Sequence, residues 1–367
     1  MGGTTAARAG RRFRRARRLR RSDRGVVSVV GTLLALLVFF ALFGIFLTQY
    51  VPLWMTDNES AFSSQAAFAF SQLKSNIDYQ YSVGGPTTLG VPFTLTSNGV
   101  PLIAQATQAT LDFIPSNCAP QSVAGYTQQV PFYTVTVHPA GTVIGQPVAP
   151  GQCIFANVTV GYGPGGTGTP SYYHMSTGTL EMLLPNRYYT PETFYYEDDA
   201  VIQSQLGGYQ VMAFPPPFNV TTYAGNTTVA TSFLQLYGNA TAVVGQQSQQ
   251  VFSSNYFSQF VATNGKYVAA SKTYLPTNFS FEIGTQYPCA WYAYLNSAMA
   301  TSGLTARSLY WLNVTGLAPF TAPSTSTCAN DAANGATTVV WLQIRPVVDY
   351  ATLFYAGSTL TVGVGGG

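Results

Sequence analysis

Three carboxylates stand side by side in the stretch YYEDDAVI: Glu197, Asp198 and Asp199. Consecutive acids in a turn can offer hard oxygen ligands to a cation such as Ca²⁺, so these three are the candidate metal ligands. The commoner setting for such residues is a solvated hairpin turn, here between TFYY and AVIQ. The other ingredients of catalysis do not assemble. Asp112 and Asp349 are isolated, and the two histidines, His138 and His174, stand far apart. The chain shows no nucleophile elbow, P-loop, HExxH or Ser-His-Asp spacing. No catalytic residue, cofactor or enzymatic activity is therefore expected.

The four cysteines, Cys118, Cys153, Cys289 and Cys328, form no CxxC, and with so few histidines a zinc site is not expected. An even number in a Tyr-, Thr- and Gly-rich chain reads as disulfides formed in an oxidising compartment. Three pairings are open. Short loops favour Cys118–Cys153 and Cys289–Cys328. Seven asparagines begin N-x-S/T sequons: Asn58, Asn157, Asn219, Asn226, Asn239, Asn278 and Asn313. They are candidate glycosylation sites and agree with an exterior location. Aromatics are abundant, with 24 Tyr and 23 Phe, and are densest in NRYYTPETFYY (186–196). Rows of exposed tyrosine can stack on glycans or other surfaces. Cross-strand packing is the commoner use.

The elements that carry these residues follow from charge and periodicity. Only 8% of the 367 residues are charged. Ten of the sixteen Lys+Arg are arginines between Arg8 and Arg24. From Val26 onward six bases face twelve acids, so the basic isoelectric point describes a terminal block and does not predict a nucleic-acid partner. No charge occurs from Gly25 to Thr56, and Val29 to Leu47 is almost wholly apolar. At 1.5 Å per residue about 20 residues cross a hydrocarbon core, so this stretch predicts a membrane-spanning helix rather than a short signal-peptide core. Arginines on one flank put the N-terminus in the cytoplasm and the remainder outside.

After Pro52, which is expected to kink or break the helix, Phe62, Ala66, Ala69, Leu73 and Ile77 recur at three- and four-residue steps and define one face. That face suits either packing on the chain's own domain or packing between subunits. Beyond SVGGPTTLG, short runs such as PFTLTS, YTVTVH, NVTVGY and STLTVGV alternate between Gly/Pro/Asn-rich breaks, which predicts antiparallel β structure of a sandwich type. FPPPFN (214–219) reads as a loop or linker, and Gln246 to Val261 as a helix. The expected class is α+β, divided as follows: an Arg-rich leader over 1–25; a helix over 26–81 kinked near Pro52; and β ectodomain parts over 86–218 and 219–367.

The junction DRGVVSVVGTLLALL resembles the class III signal of archaeal type IV pilins and archaellins. In those proteins a basic leader ends in Arg-Gly or Lys-Gly, and a prepilin peptidase cuts after the glycine. The resemblance implies a cleavage site at Arg24, Gly25 and Val26, with the cut between Gly25 and Val26. Three further blocks are similar to segments of archaeal pilin-like secreted proteins: GVPLIAQATQATLDFIP, GTLEMLLPNRYYTPETFYYEDDAVIQSQ and VMAFPPPF. Those proteins carry an N-Y-Y…Y-E-G-G-A-V-I phrase. Asn186, Tyr188, Tyr189, Tyr196, Glu197, Ala200, Val201 and Ile202 match it, while Asp198 and Asp199 stand where it has two glycines. Val30 stands at the fifth position of the mature form, where bacterial pilins carry glutamate.

The expectation is a membrane-anchored, extracellular, structural or adhesive protein. Its implied partners are the membrane, other pilin subunits, prepilin peptidase, and surfaces or glycans. The alternative is a permanently anchored ligand-binding or S-layer-associated glycoprotein.

Overall fold

The computed structural model describes residues 29–84, 87–100, 103–115, 155–162, 171–223, 226–245, 248–264, 267–269, 272–274, 276–304, 306, 308–328, 338–344 and 348–364. Arg24, Gly25, Val26, Cys118, Cys153 and His138 lie outside the described residues. The chain divides into two compact units, Met1–Asp57 with Val100–Gln105, and Asn58–Gly99 with Ala106–Gly367.

Helix α1 (Val29–Val83) is continuous for 55 residues. Its first part is uncharged, and none of its most apolar window is buried. A helix suits such a stretch because every interior backbone donor and acceptor is satisfied within the segment. Pro52 has no N–H to give, yet the helix runs on through it. A π-turn over Phe46–Tyr50 ends one residue short of the proline and is closed by the intervening Val51, whose N–H donates to the Phe46 carbonyl. Such a bulge takes up the register change that an interior proline imposes.

The second unit adds strands β1 (Thr88–Phe93), β2 (Thr110–Ile114), β3 (Phe155–Tyr162), β4 (Ser171–Ser176), β5 (Thr179–Leu184), β6 (Glu192–Glu197), β7 (Ala200–Gln205), β8 (Tyr209–Phe214) and β9 (Phe218–Tyr223). It continues with β10 (Asn226–Gly238), β11 (Thr241–Val244), β12 (Gln249–Asn264), β13 (Tyr267–Ala269), β14 (Lys272–Tyr274) and β15 (Pro276–Thr285). Helix α2 (Pro288–Thr301) then leads to β16 (Tyr310–Val314), β17 (Thr338–Ile344) and β18 (Val348–Val364). Among the described residues three main sheets have the orders β1-β12-β18-β10-β9, β11-β2-β5-β6-β7-β8 and β16-β17-β15-β3-β4, beside a β13-β14 ribbon. Among the described pairings, β10 with β18 is parallel and the rest are antiparallel. The class is α+β, as the sequence predicts. Each main sheet draws strands from both sides of residue 218, so the division expected there does not separate sheets. The proline run is pinned as well: Tyr294 donates to the Pro216 carbonyl at 2.8 Å and the Ser232 N–H to that of Pro217 at 3.1 Å.

Of the stretch Gln246 to Val261, expected to be helical, the part from Gln249 onward lies in strand β12, and Gln246 is outside the described residues. Gln249, Val251 and Ser253 are buried while Phe252 is exposed, a two-residue alternation that two polar inward positions hide from a hydropathy reading.

Among the described residues two apolar clusters form the core. One gathers Tyr195, Ile202, Phe279, Phe281, Trp291 and Leu312, and the other Phe70, Phe93, Leu111, Met182, Phe194 and Leu236. Strands β6 and β7 feed both, because successive side chains point to opposite faces. The predicted face of α1 lies in the second cluster: Phe62, Ala66, Ala69, Leu73 and Ile77 are all buried there. This part of the helix therefore packs on its own domain. Phe70 meets the rings of Phe93 and Phe194 with centroids at 5.1 and 5.9 Å.

Candidate functional site

Between its apolar contacts, the domain-packed part of α1 carries a line of buried polar side chains. Each reaches a different segment of the β domain. Glu59 is fully buried, and its carboxylate accepts four donors. These are the Thr107 hydroxyl at 2.5 Å and the backbone N–H groups of Arg187, Tyr188 and Tyr189 at 3.0, 2.7 and 2.7 Å. Burial pushes this carboxyl up, but the hydrogen bonds to its charged form outweigh burial and hold it below the usual glutamate value. One turn on, Ser63 donates to Glu192, whose other oxygen accepts Gln205 Nε2 at 2.7 Å. Lys74 Nζ meets Asp199 Oδ1 at 2.8 Å and Asp78 Oδ2 at 3.3 Å. Gln80 Nε2 donates to the carbonyls of Thr87 and Ser253 at 2.9 and 2.7 Å.

The Glu197-Asp198-Asp199 stretch is a hairpin turn, as expected, but not a solvated one. All three residues are buried. Glu197 pairs with Ala200, leaving Asp198 and Asp199 as a two-residue loop with φ of 44° and 62°. That left-handed conformation matches the twist of the flanking strands and normally favours glycine or asparagine. Here each acid has its own partners. Glu197 Oε1 accepts the Thr285 hydroxyl at 2.5 Å and Trp291 Nε1 at 2.7 Å, while its buried Oε2 has no partner among the described residues. Burial pushes the Glu197 carboxyl up to about 7. Asp198 Oδ1 accepts the Leu234 N–H at 3.1 Å, and burial pushes its carboxyl well above the usual range. Asp199 receives Lys74, the Tyr196 hydroxyl at 3.1 Å and the Ser232 hydroxyl at 3.3 Å. Burial raises Asp199 to about 6 against the opposing pull of Lys74.

The three side chains thus diverge. Among the described residues no group of three or more His, Cys, Asp or Glu is placed to hold a metal ion. Asp112, isolated in sequence, stands directly across from Glu181 in the β2–β5 ladder. Burial and then the Asp112 charge raise the Glu181 carboxyl. A cleft of about 300 Å³ opens beside the Lys74–Asp199 pair and is lined by Asp78, Tyr81, Asp199, Pro217 and Phe233.

The other expected sites distribute as follows. Cys289 and Cys328 form a disulfide with Cα atoms 6.0 Å apart. The Gln210 side chain bridges its two ends, donating to the Cys328 carbonyl at 2.9 Å and accepting the Cys289 N–H at 3.2 Å. Asn219 and Asn239 are exposed, and Asn58 and Asn313 are half-buried. The backbones of Asn157, Asn226 and Asn278 lie in β3, β10 and β15, and their side chains lie outside the described residues, as does that of His174. The aromatic block is split: Phe194, Tyr195 and Tyr196 are buried, while Tyr188 is exposed. The residues from Asn186 to Ile202 that the resemblance singles out make architectural contacts in this fold. Asn186 Nδ2 closes its loop on the Thr190 carbonyl at 3.0 Å, the N–H groups of Tyr188 and Tyr189 anchor Glu59, and Ala200, Val201 and Ile202 are core.

The sequence reading passed over Glu59, Ser63, Lys74, Gln80 and Glu192. Glu59 sits inside the sequon Asn58-Glu59-Ser60, which drew attention to the asparagine. Lys74 had a usable signal: it is the only lysine between Val26 and Asn264, and it stands between Leu73 and Ile77 of the apolar face. No family model, curated protein or solved structure matches the chain.

Proposed function

We propose that this chain is a pilin-like structural protein of the cell exterior. In this reading the apolar part of α1 anchors the chain in the membrane and later packs with its counterparts in a filament. The β domain faces outward, where it contacts surfaces, glycans or other cells. A prepilin-type peptidase removes the Arg-rich leader after Gly25.

The observation that carries the reading is the 55-residue helix with two solvents. Its apolar, uncharged first part has no buried residue in its most apolar window, and its last turns are sealed into a β domain. A soluble protein that left such a stretch in water would aggregate. A lipid or helix-bundle environment satisfies it, with Gly31 and Gly44 allowing close approach between helices. The Cys289–Cys328 disulfide supports an oxidising exterior.

The test is immunogold electron microscopy of sheared surface filaments from the cells that make the protein. Label along or at the tips of filaments is expected. Label confined to the membrane, with no filament carrying it, would contradict the filament role.

A further inference from the structure

We propose that Lys74 and Asp199 are joined by an intramolecular amide bond that locks helix α1 to the β6–β7 turn. The pair brings an amine and a carboxyl to 2.8 Å from positions 125 residues apart. Their side chains are only 12% and 4% exposed. The carboxyl is held at both oxygens, by Tyr196 at Oδ1 and by Ser232 at Oδ2. A second acid, Asp78, touches the same amine at 3.3 Å. The site therefore brings a nucleophile and an electrophile together, with a proton carrier at the reacting nitrogen.

The reaction begins with transfer of one proton from Nζ to the Asp199 carboxylate, which leaves an amine beside a carboxylic acid. Burial raises the Asp199 carboxyl in the same sense. The lone pair of Nζ then attacks Cγ. Asp78 takes the second proton from nitrogen and delivers it to the departing hydroxyl, the C–O bond breaks, and water leaves. The ammonium nitrogen begins with three hydrogens and ends with one; the other two depart with one carboxyl oxygen. No oxidant or co-reactant is required. The cleft lined by Asp78 and Asp199 gives the water an exit.

The backbone agrees. Asp199 occupies a left-handed position, φ 62°, that a non-glycine residue adopts at a cost, and its side chain is what aims at Lys74. The consequence is mechanical: the helix could not be drawn out of its β domain without breaking a covalent bond. The inference rests on the second unit alone and stands apart from the filament reading.

The experiment is peptide mapping of the full-length protein in detergent, digested with a protease that cuts at the abundant aromatics. The expected product is a branched peptide joining Lys74 to Asp199, lighter by one water than the two separate peptides. On a reducing denaturing gel the wild type should run ahead of Lys74→Arg, which keeps the charge but cannot form this amide. Asp199→Asn should give the same link with loss of ammonia in place of water, and Asp78→Ala should leave the ends unjoined in folded protein. Separate, full-mass Lys74 and Asp199 peptides from natively folded wild type would overturn the proposal, whatever the variants do.

Discussion

Between residues 29 and 50 helix α1 has no charged side chain, and its most apolar window is wholly unburied; from Asn58 to Val83 it buries Phe62, Ala66, Ala69, Phe70, Leu73 and Ile77 on one face. Both stretches carry phenylalanines, four in the first and three in the second, so the presence of large apolar residues alone does not tell them apart. Pattern does. An all-round apolar surface needs a solvent that is apolar all round, whereas a striped one needs a single dry neighbour. The polar residues of the second stretch follow the same logic, since Glu59, Ser63, Lys74 and Gln80 each find a fixed partner in the β domain. A buried polar group is tolerated only when it is paired.

That contrast can be broken most forcefully at Glu59. Glu59→Ala strips the N–H groups of Arg187, Tyr188 and Tyr189 of their acceptor and should destabilise the domain by about 4 kcal/mol, read by thermal or denaturant unfolding in detergent. Leu36→Ala in the exposed stretch should leave the same transition unmoved.

A charge sharpens the comparison from the other end. Leu37→Lys places an ammonium near the centre of the apolar stretch and should cost about 3 kcal/mol of insertion, seen as loss of protein from the membrane fraction. Phe68→Lys, on the exposed side of the domain-packed stretch, should change stability by no more than about 0.5 kcal/mol.

Glu197 predicts a pH dependence of unlike sign to most carboxylates. Its folded value, about 7, lies above its ordinary 4.5, so the native state keeps a proton that the unfolded chain has released. The contribution is therefore full below pH 4.5 and is lost as pH rises towards 7, by roughly 3 kcal/mol in all. Unfolding measured across that window should show the fall, and Glu197→Gln should remove its own share while leaving that of Asp198, Asp199 and Glu181, which burial also raises. Glu59 works in the opposite sense, stabilising above its ordinary 4.5 and losing that stabilisation as pH drops through its lowered value. The smallest effect belongs to Asp112→Asn. Removing one of two facing carboxylates in the β2–β5 ladder should stabilise by about 0.5 kcal/mol at neutral pH in the same unfolding assay.

Much of the architecture was legible because it is periodic. The apolar run, the five-residue face of α1 and strands such as NVTVGY announce themselves by spacing. What was illegible was long-range pairing. Nothing near Glu59 tells that Thr107 and residues 187–189 will surround it, and nothing near Asp112 points to Glu181. The carboxylate turn is legible in the sequence as a turn but not as a buried one, because three adjacent acids normally face solvent. Only the tertiary fold supplies Thr285, Trp291, Leu234 and Lys74 to receive them. Strand β12 was misread for a related reason: Gln249 and Ser253 point inward, and an inward polar residue erases the two-residue alternation on which a strand assignment depends.

The anchor and its processing are the centre of this account, and the mass of the N-terminal peptide tests them most directly. For protein isolated from native membranes the account predicts a chain beginning at Val26, with the ten arginines of the leader gone and the apolar helix retained. A chain that still carries the arginine block would contradict prepilin-type processing and leave a permanently anchored surface protein in its place.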